Sequence, residues 1–137
     1  MTQKALLQSA GDGSAIPAGY VGELTARTTV NVTNLTGSTV NAATLLLTSG
    51  NWLIFFNGQG GGSTVGSRVS LTISTSSATE DTDFSTVGTV SSISQPFSMS
   101  MIRVISTSGQ NVYLTARAPD SGTTMYLSGR IQAIRIS

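Results

Sequence analysis

Arg68-Val69-Ser70-Leu71-Thr72-Ile73-Ser74-Thr75 is the stretch that decides the fold class. Val69, Leu71 and Ile73 alternate with Ser70, Thr72 and Ser74, a period of two that puts the apolar set on one face of a strand and predicts water on the other. Beyond a short possible turn of helix around Ala5 to Ser9, no stretch sustains the apolar periodicity of an amphipathic helix. On both sides the sequence continues as Val-, Ile-, Thr- and aromatic-rich runs punctuated by Gly, Asn, Asp and Ser. Upstream these predict strands over residues 21–27, 29–33, 42–48 and 52–57; downstream, over residues 97–106, 111–118 and 123–136. Ser49-Gly50-Asn51 is read as the turn of a hairpin-like pair. Asn57-Gly58-Gln59-Gly60-Gly61-Gly62-Ser63 reads as a flexible connection, and residues 75–83 as a polar, acidic loop.

About eight evenly spaced strands in 137 residues predict an all-β protein, a jelly-roll-like β-sandwich of antiparallel strands. An immunoglobulin-like sandwich is the rival, disfavoured by the missing Cys–Trp–Cys core. Residues 1–18 mix Gly, Ser and Pro17 and read as a short N-terminal arm, with residues 19–137 as the single sandwich domain. The length suits one domain with a core of its own.

Composition narrows the chemistry. Cysteine and histidine are both absent, which removes disulfides, thiolate nucleophiles, imidazole bases and nearly all zinc, haem and iron–sulfur ligation. The expectation is a protein that is not an enzyme and has no cofactor. A net charge of +1 with a single lysine, Lys4, provides no field for nucleic acid or for an anionic membrane surface. The apolar runs 45–47 and 52–56 are separated by Thr48-Ser49-Gly50-Asn51, too short for a membrane-spanning helix.

Glu80, Asp81 and Asp83 form the densest carboxylate cluster, one that could hold a hard cation with loop oxygens. It lacks the spaced Gly and distal Glu of a dedicated calcium loop, and an ordinary solvated loop is the preferred reading, with no metal. Pairing Asp12 or Glu23 with that cluster for glycoside hydrolysis is a distant possibility. The Gly-rich run at 58–62 is not followed by a helix, so it does not read as a phosphate cradle.

Trp52-Leu53-Ile54-Phe55-Phe56 is apolar on both faces, and Leu45-Leu46-Leu47 repeats that, whereas a strand with one face in water alternates. Two readings stand: loops of the same chain cover the second face, or another subunit does. Met101, Arg103 and Ile105 share one face, and a guanidinium among apolar neighbours anchors an ion pair at a protein contact or snorkels at a rim. Leu46, Trp52, Ile54, Phe56 and Arg103 are therefore the candidate interface residues.

Three short pieces resemble a known group. Ala15-Ile16-Pro17-Ala18-Gly19-Tyr20-Val21-Gly22-Glu23 resembles the opening segment of small all-β domains in tailed-bacteriophage virion proteins. Ser49-Gly50-Asn51-Trp52-Leu53-Ile54 is similar to their Gly-x-Trp-x-x strand, and Leu127-Ser128-Gly129-Arg130-Ile131-Gln132-Ala133-Ile134-Arg135 to their last strand. The resemblance implies a jelly-roll domain working as a homodimer or homotrimer on a phage particle, with no catalytic residues. Without a coiled coil, repeat shaft or large attachment domain, the implied role is a capsid decoration (cement) protein on the capsid exterior. It would be made in the host cytoplasm, with the major capsid protein as partner. The alternative is a receptor-binding knob of a tail or head fibre recognising a host surface glycan.

Overall fold

The structure is a computed structural model that describes residues 20–25, 27–62, 66–89, 95–106, 109–120 and 124–137. The expected arm at 1–18 lies outside the described residues, as do parts of the turns at 107–108 and 121–123.

Among the described residues eight strands follow one another: β1 Thr28–Leu35, β2 Val40–Leu47, β3 Gly50–Gly62, β4 Arg68–Ser74, β5 Ser85–Thr89, β6 Gln95–Ile105, β7 Gln110–Arg117 and β8 Met125–Arg135. They form two four-stranded antiparallel sheets, ordered β1-β8-β3-β6 and β2-β7-β4-β5. The protein is an all-β sandwich, as its periodicity predicts. The pairings β1–β8, β2–β7, β3–β6 and β4–β5 nest inside one another, as in one long hairpin rolled up on itself, and in that sense the strand order is jelly-roll-like.

The core lies between the sheets. Trp52, Ile54 and Phe56 of β3, Leu127, Ile131 and Ala133 of β8, and Val30 of β1 meet Val69, Leu71 and Ile73 of β4, Val112 and Leu114 of β7, and Leu45 and Leu47 of β2. The Trp52 indole is fully buried and donates its N–H to the Thr48 carbonyl at 2.9 Å, so its one polar atom is satisfied. In β2 the register shifts between Asn41 and Ala43, and this bulge lets both Ala42 and Ala43 contribute to the core side.

Four sequence expectations are corrected. The hairpin expected at Ser49-Gly50-Asn51 does not form, because β2 and β3 belong to different sheets. The connection carries the chain across the sandwich, so β2 lies in the sheet opposite β3, over β1, and not beside β3. Residues 21–27 do not make a regular strand: Leu24 forms an isolated bridge with Ile134, and Thr25 N–H donates to the Ala133 carbonyl at 2.9 Å.

The Gly-rich run is strand, not loop: β3 continues through Gly62, paired with β6 as far as Gly60 and with β8 throughout. Glycine is required here by close approach. A Cβ at Gly58 would meet the Phe56 ring and the Ser128 carbonyl, one at Gly60 the Phe97 ring, and one at Gly62 the Met125 sulfur. Finally, Ser70, Thr72 and Ser74 are not solvated but buried. Residues 75–81 fold back across the outer face of β4, held by hydrogen bonds that reach β2 and β7.

Candidate interaction surface

That strap is where the acidic cluster goes. Asn41 of β2 donates from Nδ2 to Ser77 Oγ at 2.7 Å and accepts the Ala78 N–H at 2.7 Å, where Ala78 adopts a positive φ of 49°. Glu80 then accepts from Ser70 Oγ at 3.0 Å and from Arg117 Nε at 2.6 Å. Asp81 binds Arg103 NH1 through Oδ2 at 2.8 Å, and its Oδ1 accepts the Asp83 N–H at 3.3 Å, capping a 3₁₀ turn over Thr82–Phe84. The cluster is thus a set of ties between the strap and two arginines, not a freely solvated run. Among the described residues no group of three or more Asp, Glu, His or Cys is placed to hold a metal ion.

Arg103 points inward from β6. Its guanidinium is nearly buried, pairs with Asp81, reaches Thr75 Oγ1 at 3.4 Å and lies 4.0 Å from the centroid of the Phe84 ring. The ion pair expected of it exists, but within the chain. Three other arginines are used similarly: Arg117 with Glu80, Arg68 with Asp120, and Arg135 near Glu23, where Thr48 Oγ1 bridges by accepting from Arg135 at 3.1 Å and donating to Glu23 at 3.4 Å. Arg68 donates three ways to Asp120, from its backbone N–H at 2.6 Å, from Nε at 3.1 Å and from NH2 at 2.8 Å. These bonds hold the Asp120 carboxyl below its ordinary value and raise the Arg68 guanidinium.

Of the candidate interface residues, Trp52, Ile54 and Phe56 are core, with no surface to offer. Leu46 is the exception: it projects from β2 with 67% of its surface exposed. The stretch 52–56 does have two apolar faces, but the half that meets the surface is Leu53 and Phe55.

Those two belong to a patch that spans the outer face of the β1-β8-β3-β6 sheet. Cross-strand partners share a face. Leu24 bridges Ile134, Ile134 pairs with Leu53, and Leu53 pairs with Ile102, so the four make one apolar row across the sheet. Val104 flanks it beside Asn51, Ile136 donates its N–H to the Asn51 carbonyl, and Phe55 follows on the other side between Ser100 and Gln132. Val104 is 70% exposed, Ile102 56% and Leu24 54%. The far half of the same face is polar, with Asn57, Gln59, Ser98, Ser128 and Arg130, and an open groove of about 340 Å³ lined by Gly58, Gln59, Pro96, Ser128 and Gly129.

No protein-family model and no curated protein matches this chain. The surface therefore speaks through its own chemistry. Among the described residues Arg130 is the sole charge that the strands of this sheet turn outward, so the apolar row forms a contiguous uncharged patch on the sheet face. No helix among the described residues is long and apolar enough to cross a membrane. Sequence reasoning missed Leu24, Ile102, Val104 and Ile134 because they come from three segments far apart in the chain. Only the register of β8, β3 and β6 aligns them into a row.

Proposed function

We propose that this chain is a virion structural protein of a tailed bacteriophage, a capsid decoration protein that binds the major capsid protein lattice through the apolar half of its β1-β8-β3-β6 face. The observation that carries the reading is the row Leu24–Ile134–Leu53–Ile102 with Val104 beside it, an apolar surface rigidly held on a sheet. The three sequence pieces that resemble phage virion domains supply the particle. The role is binding and not catalysis: a protein that binds the closed shell and not its opened state stabilises the shell by mass action, with no chemical step.

The test is cosedimentation of the purified protein with shells of the phage from which it comes, comparing wild type with Leu24→Glu. Leu24 is exposed, so the variant should melt as wild type does while its shell binding is lost. Undiminished binding by Leu24→Glu, or no binding by wild type, overturns the assignment. Particles lacking the protein should release DNA at lower temperature than complete ones.

The groove over Gly58, Gln59, Pro96, Ser128 and Gly129 favours a second reading, a fibre-tip knob that recognises a host surface glycan. Of the segments that could present such a site, residues 58–62 are strand, with Gly58 and Gln59 lining the groove, and residues 75–81 are tied across the other sheet. Binding to host cells without binding to shells would put this reading first.

A further inference from the structure

A sandwich has four sheet edges, and each presents unpaired backbone groups that can recruit another strand. Three of the four edges here are blunted. β1 has a register shift between Val32 and Leu35, β2 has one between Asn41 and Ala43, and β5 is five residues long. β6 differs in every respect: it is eleven residues long and pairs with β3 without a register shift from Gln95 to Ile105.

The outward side chains of β6 are Pro96, Ser98, Ser100, Ile102 and Val104, with no charge among them. The one charge in the strand, Arg103, points inward and is matched by Asp81. Among the described residues no backbone hydrogen bond beyond those to β3 reaches β6. β6 keeps two protective devices, Pro96 near its start and the inward-pointing Arg103, but it is neither short nor bulged, and it bears the most exposed part of the apolar row.

We infer that β6 pairs antiparallel with β6 of a second copy of this chain, about a two-fold axis perpendicular to the sheet, to give a dimer with one continuous eight-stranded sheet. A two-fold contact sets every residue near the axis against its own copy, so charged edges repel themselves and an uncharged one does not. Size agrees. Eleven residues at about 3.4 Å each span about 37 Å, and a two-sheet edge is about 20 Å deep with its side chains, so each copy buries up to about 700 Å². That approaches the roughly 800 Å² per partner of a stable interface, whereas the apolar half-face alone, four strands wide and three residue rows long, provides about 400 Å².

The geometry has a consequence for the proposed role. A two-fold perpendicular to the sheet points both outer faces the same way, so the dimer presents two adjoining apolar half-faces to one partner surface. Dimerisation itself is a property of the isolated protein and stands or falls separately from shell binding.

The absence of cysteine makes the test direct. Wild type should sediment at twice 14.1 kDa at micromolar concentration and melt higher as its concentration rises, and Ile102→Lys, which places two ammonium groups near the axis, should sediment as a folded monomer that melts cooperatively, somewhat below wild type and independently of concentration. Single cysteines at Ser98, Ser100 and Ile102 should include at least one that oxidises to a disulfide dimer, since a bridge needs Cα atoms within about 7 Å. Leu53→Cys should not cross-link, because β3 and its mate lie three strand spacings apart, about 14 Å. A monomeric or trimeric wild type overturns the inference. So does a dimer that cross-links through Leu53→Cys and not through β6, which would mean stacked faces.

Discussion

Asp81→Asn should destabilise the protein by about 2 kcal/mol, and Arg103→Met by less than about 1 kcal/mol, although each removes one half of the same ion pair. The asymmetry comes from burial. The Arg103 side chain is 9% exposed and that of Asp81 28%. With the single amide oxygen held by the Asp83 N–H, the amide NH2 faces a nearly buried guanidinium, which keeps only a 3.4 Å contact to Thr75 and the face of Phe84. Breaking a fully buried pair costs roughly 3–5 kcal/mol, and the partial exposure of Asp81 brings this to about 2. The amide keeps an oxygen for the Asp83 N–H, so the cap of the 3₁₀ turn survives and does not add to the loss. Methionine in place of Arg103 instead removes the charge that had to be desolvated, retains most of the stem's packing, and leaves Asp81 able to turn to water. Urea unfolding measures both. With a slope of about 1.5 kcal/mol per molar, Asp81→Asn should lower the midpoint by about 1.3 M and Arg103→Met by less than about 0.7 M. In the Arg103→Met background Asp81→Asn should cost almost nothing. The reasoning fails if Arg103→Met is the more destabilising of the two, or if the two losses simply add.

Trp52→Ala should cost about 3–5 kcal/mol, read by the same unfolding curves, because a fully buried indole leaves both a cavity and an unanswered Thr48 carbonyl; a loss under about 1 kcal/mol would return Trp52 to the surface. Gly88→Ala should cost about 1–3 kcal/mol, since the new Cβ would overlap the Phe97 ring, and combination with Phe97→Leu should recover part of it; calorimetric melting of the two variants decides. The pH dependence has a definite sign. The folded-state carboxyl of Asp120 lies below its ordinary value of 3.8, so its contribution is present above that value and is lost as the pH falls through the folded one. Melts from pH 5 down to about 2 should therefore fall more steeply for wild type than for Asp120→Asn, by a small margin that salt reduces, while without histidine both stay nearly flat from about pH 6 to 8.

Much of the fold was legible in the sequence because strand character is local. The alternation of Val69, Leu71 and Ile73 determines both the strand and the face it turns to the core, and the spacing of similar runs determines a sandwich. The exclusion of cysteine and histidine chemistry is likewise absolute in the composition. What the tertiary structure decided is which distant residue answers each local feature. Gly58, Gly60 and Gly62 read as a loop because glycine disfavours strands, yet they extend β3 because Phe56, Phe97 and Met125 leave no room for a Cβ. Glu80 and Asp81 read as solvated because their arginines, Arg117 and Arg103, lie 37 and 22 residues away. Within Trp52-Leu53-Ile54-Phe55-Phe56 the sequence shows two apolar faces and nothing that ranks them. A period of two contains no information about which face meets the other sheet. The register of β3 between β6 and β8 made that choice, burying Trp52, Ile54 and Phe56 and leaving Leu53 and Phe55 to build the surface with Ile102, Ile134 and Leu24.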